Sequence, residues 1–316
     1  MPFSSWPLAF HRDVAKTIGR IRRSLFPRNA PESLYHYTSF EGALGIVDSR
    51  TLRATSVEDL KDQTEICHGI DLVQAEVQRW LELRIPRFLS QVLRCLSGAL
   101  STRRTWTFMA CFRPTRILRE RERGPYCLQF ETFSEWKPRL RLPGLHADVQ
   151  FHRVIYRPCQ KREAVHRAIK SIAASAADTT RGDVQGPWAE SIVGIHARIA
   201  SQSLMNLIAS FKCCMYEWED EWRIVCGPRC AAAASAPDMD DEAFKPLIKT
   251  GEKARYVELR LPQHKDRMIV ASPESEIPCR RIFVGDRCPE RHAQCQRIRR
   301  ALQDAGRSDI EIIEEF

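Results

Sequence analysis

Met215-Tyr216-Glu217-Trp218-Glu219-Asp220-Glu221-Trp222-Arg223-Ile224-Val225 is the stretch on which the reading of this chain turns. Its alternation predicts a β-strand. Tyr216, Trp218, Asp220, Trp222 and Ile224 would share one face, and Glu217, Glu219, Glu221 and Arg223 the other. Carboxylates two residues apart on one strand face repel each other, so the pattern calls for a compensating charge. An arginine cluster or a cationic substrate would supply it. The plainer reading is an edge strand whose charges face water and discourage aggregation.

Working outward, Ile192, Ile195, Ile199, Leu204 and Leu207 recur at helical spacing before this stretch, and an Ala-, Asp- and Pro-rich surface loop is expected over about 227–250. Further on, 256–259, 282–284 and 310–313 read as strands, and Pro289 to Ala305 as a helix. Toward the start, Leu34-Tyr35-His36-Tyr37-Thr38-Ser39 is a short strand dense in side-chain donors. A helix from Phe40 to Ser49 follows, which Ser39 can cap. Strands are also expected at 52–55, 106–112, 126–130 and 154–156, and a helix over 163–177. Residues 66–100 read as a helical insertion that Pro86 divides. Arg113 to Arg123 is a charged connector. Residues 1–31 form a basic N-terminal extension, with Val14, Ile18, Ile21 and Leu25 at helical spacing. The remainder, 32–316, reads as a single domain. Strands and helices do not alternate regularly, and the chain carries neither a Gly-rich phosphate loop nor a Gly-x-Ser-x-Gly elbow. The expected class is α+β: a mixed, mostly antiparallel split sheet flanked by helices.

The 316 residues are 43% hydrophobic and 28% charged, in the range of globular proteins. No apolar run is long enough to span a bilayer, and Pro2 to Arg23 lacks the continuous apolar core of a secretory leader. A cytoplasmic, reducing location is therefore the expectation, and most of the 12 cysteines should serve as buried thiols. Cys213, Cys214, Cys226 and Cys230 are a candidate zinc set, but Cys-x-x-x-Cys without a matching second pair is a weak signal, and no metal is expected. The net charge of +9 favours anionic partners such as nucleic acid.

Tyr-His-Tyr-Thr at 35–38, the loop around Asp62 and Glu65, Glu219-Asp220-Glu221-Trp222-Arg223, and Ile282-Phe283-Val284-Gly285 before a C-terminal helix occur in this order in a bacterial family, domain of unknown function 2971. The chain resembles it over roughly residues 33 to 316. That family is similar in turn to the ADP-ribosyltransferase fold, whose enzymes cleave NAD between nicotinamide and ribose and pass ADP-ribose to an acceptor. The resemblance implies that His36 holds the NAD ribose, that Thr38 or Ser39 lies beside the nicotinamide, and that Tyr37 belongs to the same cofactor-binding strand. It makes Glu221, with Glu219 beside it, the catalytic glutamate. Family members carry a Trp and a Tyr before the strand that begins here at Tyr126; this chain has Ile117 to Arg123 there, leaving Tyr126 as the nearby aromatic for the nicotinamide ring. Arg223 would bind the pyrophosphate or pair with Glu219 or Glu221. The pair is the favoured reading, because a bidentate guanidinium–carboxylate contact holds neighbouring acids together.

The chemistry suits these residue types. A carboxylate hydrogen-bonded to the ribose 2-hydroxyl stabilises an oxocarbenium-like sugar when water is excluded, and Trp218 and Trp222 would supply part of a dry wall. Two readings follow. One is an NAD-dependent ADP-ribosyltransferase-like enzyme acting on a macromolecular acceptor, nucleic acid being one candidate. The other is a catalytically inactive domain of the same fold that binds nucleic acid or protein.

Overall fold

The computed structural model describes residues 31–116, 126–132, 139–140, 147–179, 189–228, 244–260, 279–285, 288 and 290–314, together with positions 14, 17, 20 and 21. The expected strand at Met215–Val225 divides in two. Cys214–Glu219 is a 3₁₀ turn, Asp220 takes a left-handed conformation at φ 45°, and the strand begins at Trp222. Alternation of bulky and acidic residues fits either geometry. The turn wins because Asp220 tolerates the left-handed region that ends it. The strand is not at an edge. It pairs on both sides, and all of Trp222–Pro228 is buried.

Eleven strands form two sheets among the described residues. The first is β1 (Ser33–Thr38), β4 (Tyr126–Glu131), β10 (Cys279–Val284) and β11 (Glu311–Glu314), in the order β1-β4-β10-β11. Its pairs are antiparallel except β10 with β11. The second sheet contains β2 (Leu52–Ser56), β3 (Phe108–Phe112), β5 (Arg139–Leu140), β6 (Ala147–Arg153), β7 (Trp222–Pro228) and β9 (Arg255–Arg260), in the order β5-β9-β2-β3-β7-β6, with β8 (Lys249–Thr250) on β9. All its pairs are antiparallel. The chain is thus α+β, with mixed and antiparallel sheets flanked by helices.

The helices are α1 (Phe40–Ser49), α2 (Thr64–Leu81), α3 (Arg87–Thr105), α4 (Pro158–Thr179), α5 (Ala189–Ile208) and α6 (Arg291–Asp304). Ser39 caps α1, its hydroxyl accepting from the Gly42 amide at 3.1 Å. Pro86 lies between α2 and α3, where its missing amide costs the helix nothing. Two cores result. Helices α2 to α5 bury Val73, Leu93, Ile169 and Leu204 against Met109 and Val225, on one face of the larger sheet. The other face of that sheet supplies Phe108, Phe112 and Ile224 to a second core, shared with Leu34, Leu128 and Ile282 of the smaller sheet and with α1 and α6. Val154–Tyr156, expected as a strand, contributes an isolated bridge at Ile155 to Phe211; the strand lies just before it, at Ala147–Arg153. The expected loop is narrower than 227–250, since β7 runs through Pro228 and β8 begins at Lys249; positions 229–243 lie outside the described residues, as do most of 1–30 and the 117–125 connector.

Candidate functional site

The two sheets meet where β1 and β3 run side by side and then part. Tyr35 and Arg113 form a backbone bridge, with amides donating both ways at 2.8 and 2.9 Å. Beyond it the strands diverge, and a cleft of about 240 Å³ opens, lined by Tyr35, His36, Tyr37, Cys111, Phe112, Arg113 and Glu221. His36 and Glu221, distant in the chain, therefore face one space. Register explains how. Trp222 pairs with Phe112 across β7 and β3, which sets Glu221 beside Arg113 at the fork.

His36 Nδ1 lies 2.9 Å from the Cys111 carbonyl oxygen. A carbonyl can only accept, so Nδ1 carries the proton and Nε2 of the neutral ring is left as an acceptor. Burial lowers the His36 pKa, with the carbonyl contact opposing it, and this favours the neutral ring. The His36 ring packs against Phe112 at 5.5 Å. Cys111 is a poor nucleophile here: burial first, and then the nearby Glu221 charge, push its thiol up to about 12.

Behind the cleft, three carboxylates meet three cations. Arg223 Nε donates to Glu221 Oε1 at 2.5 Å, its second terminal nitrogen pairs with Glu65 at 2.9 Å, and its first donates to the carbonyls of Ala209 and Phe211 at 2.8 and 3.1 Å. Lys212 Nζ bridges Glu219 at 2.6 Å and Glu221 at 2.5 Å. Arg113 pairs with Glu219 at 3.1 Å and lies against the Trp218 ring at 4.8 Å. Glu219 and Glu221 are both buried. Tyr156 fixes the Glu221 backbone by accepting its amide at 2.7 Å, and Asp62 places Glu65 by accepting the Thr64 amide at the start of α2. Burial alone would raise the Glu221 pKa, but the Arg223 and Lys212 charges outweigh it and hold the carboxyl well below its ordinary range. For Glu65 the balance reverses, and burial pushes it up against the pull of Arg223.

The compensation that the acidic run requires is thus supplied from within, by Arg113, Lys212 and Arg223, and not by water at a sheet edge. Arg223 pairs with Glu221, and all three of its nitrogens are engaged, which removes it as a pyrophosphate ligand. His36, Tyr37 and Glu221 come together in the cleft; Glu219 stands behind them. Thr38, Ser39 and Tyr126 are not among its lining residues. The Thr38 hydroxyl sits over Gly42, where a Cβ would meet it at 2.0 Å, and Ser39 is occupied as a cap. Tyr126 is a core residue. Its ring packs on Phe40 at 5.7 Å, and its hydroxyl contacts Cys288 at 2.8 Å and Gln294 of α6, so it cannot stack on a ligand in the cleft. Of the two tryptophans proposed as walls, Trp222 is buried and stacked on Phe151 at 5.0 Å, whereas Trp218 is 58% exposed on the 3₁₀ turn.

Sequence reasoning missed Lys212 and Arg113 as the balancing cations. The signal was present: both border the stretches that carry the acids and β3, and the repulsion argument demanded such charges. Among the described residues no three His, Cys, Asp or Glu side chains are placed to hold a metal ion. Cys226 is buried in β7 with its thiol toward the Phe108 carbonyl, Cys213 and Cys214 are exposed, and Cys230 lies outside the described residues. Comparison of the chain with protein-family models, with curated proteins and with solved structures found no match.

Proposed function

We propose that the chain is an NAD-using enzyme of the ADP-ribosyltransferase type, related to the domain of unknown function 2971 family, that passes ADP-ribose to a macromolecular acceptor. One observation carries the reading: His36 and Glu221 line the same cleft at the fork of two sheets. The cleft has room for one end of a dinucleotide. His36 Nε2 accepts a hydrogen bond from a ribose hydroxyl. Glu221 stays ionised and accepts from the hydroxyl beside the glycosidic carbon, where positive charge develops as the bond to nicotinamide breaks. Its two oxygens offer about four lone-pair sites, so the contacts to Lys212 and Arg223 leave capacity for a ligand. Tyr35, Tyr37 and Phe112 provide ring surface at the cleft wall.

The second reading is a domain of this fold without turnover that binds nucleic acid or protein. It is favoured by a specific observation: the Glu221 charge is already balanced by two cations, which weakens its pull on a developing positive charge.

Thermal unfolding with millimolar NAD separates the two, alongside release of nicotinamide. The enzyme reading expects a raised midpoint that His36→Ala abolishes, because a ligand that binds the folded chain alone must stabilise it. Loss of the His36 contact by itself costs about 1 kcal/mol, so the variant remains folded. An unchanged midpoint and no nicotinamide, together with steeply salt-dependent nucleic-acid binding, would establish the second reading.

A further inference from the structure

Three large hydrophobic side chains stand exposed among the described residues: Leu83, Met215 and Trp218. Two of them share the six-residue 3₁₀ turn Cys214–Glu219, Met215 at 67% and Trp218 at 58% exposure. A 3₁₀ helix has three residues per turn, so side chains at i and i+3 eclipse. Met215 and Trp218 therefore stand one above the other and make a single apolar patch.

The turn holds this patch still. Its backbone is closed by the Tyr216 amide donating to the Cys213 carbonyl at 3.1 Å and the Asp220 amide donating to that of Glu217 at 3.2 Å. Two ion pairs tie it to the chain between β6 and α4, Arg157 with Glu217 at 3.1 Å and Arg153 with Asp220. The buried Arg113 guanidinium lies 4.8 Å from the centre of the Trp218 ring. One face of the indole is thus covered, and its exposure falls on the other. A ring already fixed in place loses little freedom when a planar ligand stacks on it.

Size and charge decide the occupant. Two side chains little more than half exposed offer roughly 300 Å² at most, short of the about 800 Å² per partner of a stable protein interface. A flat indole face matches a planar ring. The flanking Arg153 and Arg157 side chains are 39% and 64% exposed, and exposed pairs such as theirs are weak enough to be shared with a phosphate. The chain as a whole carries +9. Rings joined by phosphates are the bases of a nucleic-acid strand, and their faces are free where they are unpaired.

We infer that Trp218, with Met215 beside it, is a stacking site for an unpaired base of single-stranded nucleic acid, and that Arg153 and Arg157 meet the adjoining phosphates. This goes beyond both readings of the cleft and does not depend on NAD turnover.

The test measures fluorescence anisotropy of a labelled oligothymidylate with the full chain, against a duplex of the same length. The single strand should bind about tenfold more tightly than the duplex, and Trp218→Ala should remove about that factor, as expected for one base stacked on an aromatic ring. Trp218→Phe should recover most of the affinity. The salt slope should be unchanged in Trp218→Ala, which loses no phosphate contact, and shallower in Arg157→Gln. In the natural chain the strand should also quench the tryptophan emission that iodide reaches, a readout that needs no variant. Unchanged affinity in Trp218→Ala, equal or tighter binding of the duplex, or no binding of the strand would each overturn the inference. Binding that weakens in Arg157→Gln but not in Trp218→Ala would leave nucleic-acid binding standing and remove the stacking site.

Discussion

Two arginines in this molecule each grip two carboxylates, and burial separates them. The Arg223 side chain is 2% exposed and pairs with Glu221 and Glu65 at 2.5 and 2.9 Å; that of Arg255 is 34% exposed and pairs with Glu58 and Asp59 at 2.7 and 3.1 Å. The distances are alike. The consequences of breaking them are not. Around Arg255, water replaces a lost partner. Around Arg223, a lost partner strands a charge away from water, and its desolvation is no longer offset. The importance of the buried cluster lies in the cost of dismantling it, more than in any net gain over an apolar core.

The largest effect that would break this comparison comes from Arg223→Met. It should reduce unfolding free energy by roughly 3–5 kcal/mol in denaturant titration, as expected when one member of a buried ion pair is removed. Arg255→Met should cost no more than about 1 kcal/mol. Equal losses would show that burial is not the controlling variable. Adding Glu65→Gln to Arg223→Met sharpens the point. The double variant should recover about 1 kcal/mol or more, because the stranded Glu65 is gone, and strict additivity would contradict the pairing.

Acid supplies a further contrast. The Glu221 pKa lies below its unfolded value, so the stability it contributes is present above about pH 4 and is lost as pH falls toward the depressed value. The sign follows because the unfolded chain takes up the proton first. Glu221→Gln should flatten this part of the stability–pH curve at the price of a lower plateau. An acid limb of unchanged steepness in that variant would assign the effect elsewhere. The smallest effect is that of salt. Raising ionic strength should weaken the contribution of Arg255 by a few tenths of a kcal/mol and leave that of Arg223 nearly untouched.

Much of this was legible in the residues, and the failures have physical causes. Short runs of strand-forming residues located β1, β3 and β4, and the Ser39 cap located α1, because these signals are local. Repulsion among the glutamates correctly demanded cations. What alternation could not distinguish was a strand from a 3₁₀ turn followed by a strand, since the difference rests on Asp220 taking the left-handed conformation at a single residue. Nor could it assign partners. Glu65, Arg113 and Lys212 lie in stretches that read as loop, connector and helix end, and only the folded chain brings them together. Tyr126 failed for a related reason. A strand tyrosine facing a cleft and one facing a core look the same until the neighbouring helix is known to offer Cys288 and Gln294.

The charge cluster also constrains how this chain can change over time. Glu65, Glu219 and Glu221 stand against Arg113, Lys212 and Arg223, three against three, contributed by separate parts of the sequence. A single reversal of sign would leave two buried like charges in contact. Drift at any one of these positions is therefore tolerable only alongside matching changes at the others, because each ion pair shares a member with the next. Descendants of this chain should inherit the six as a block.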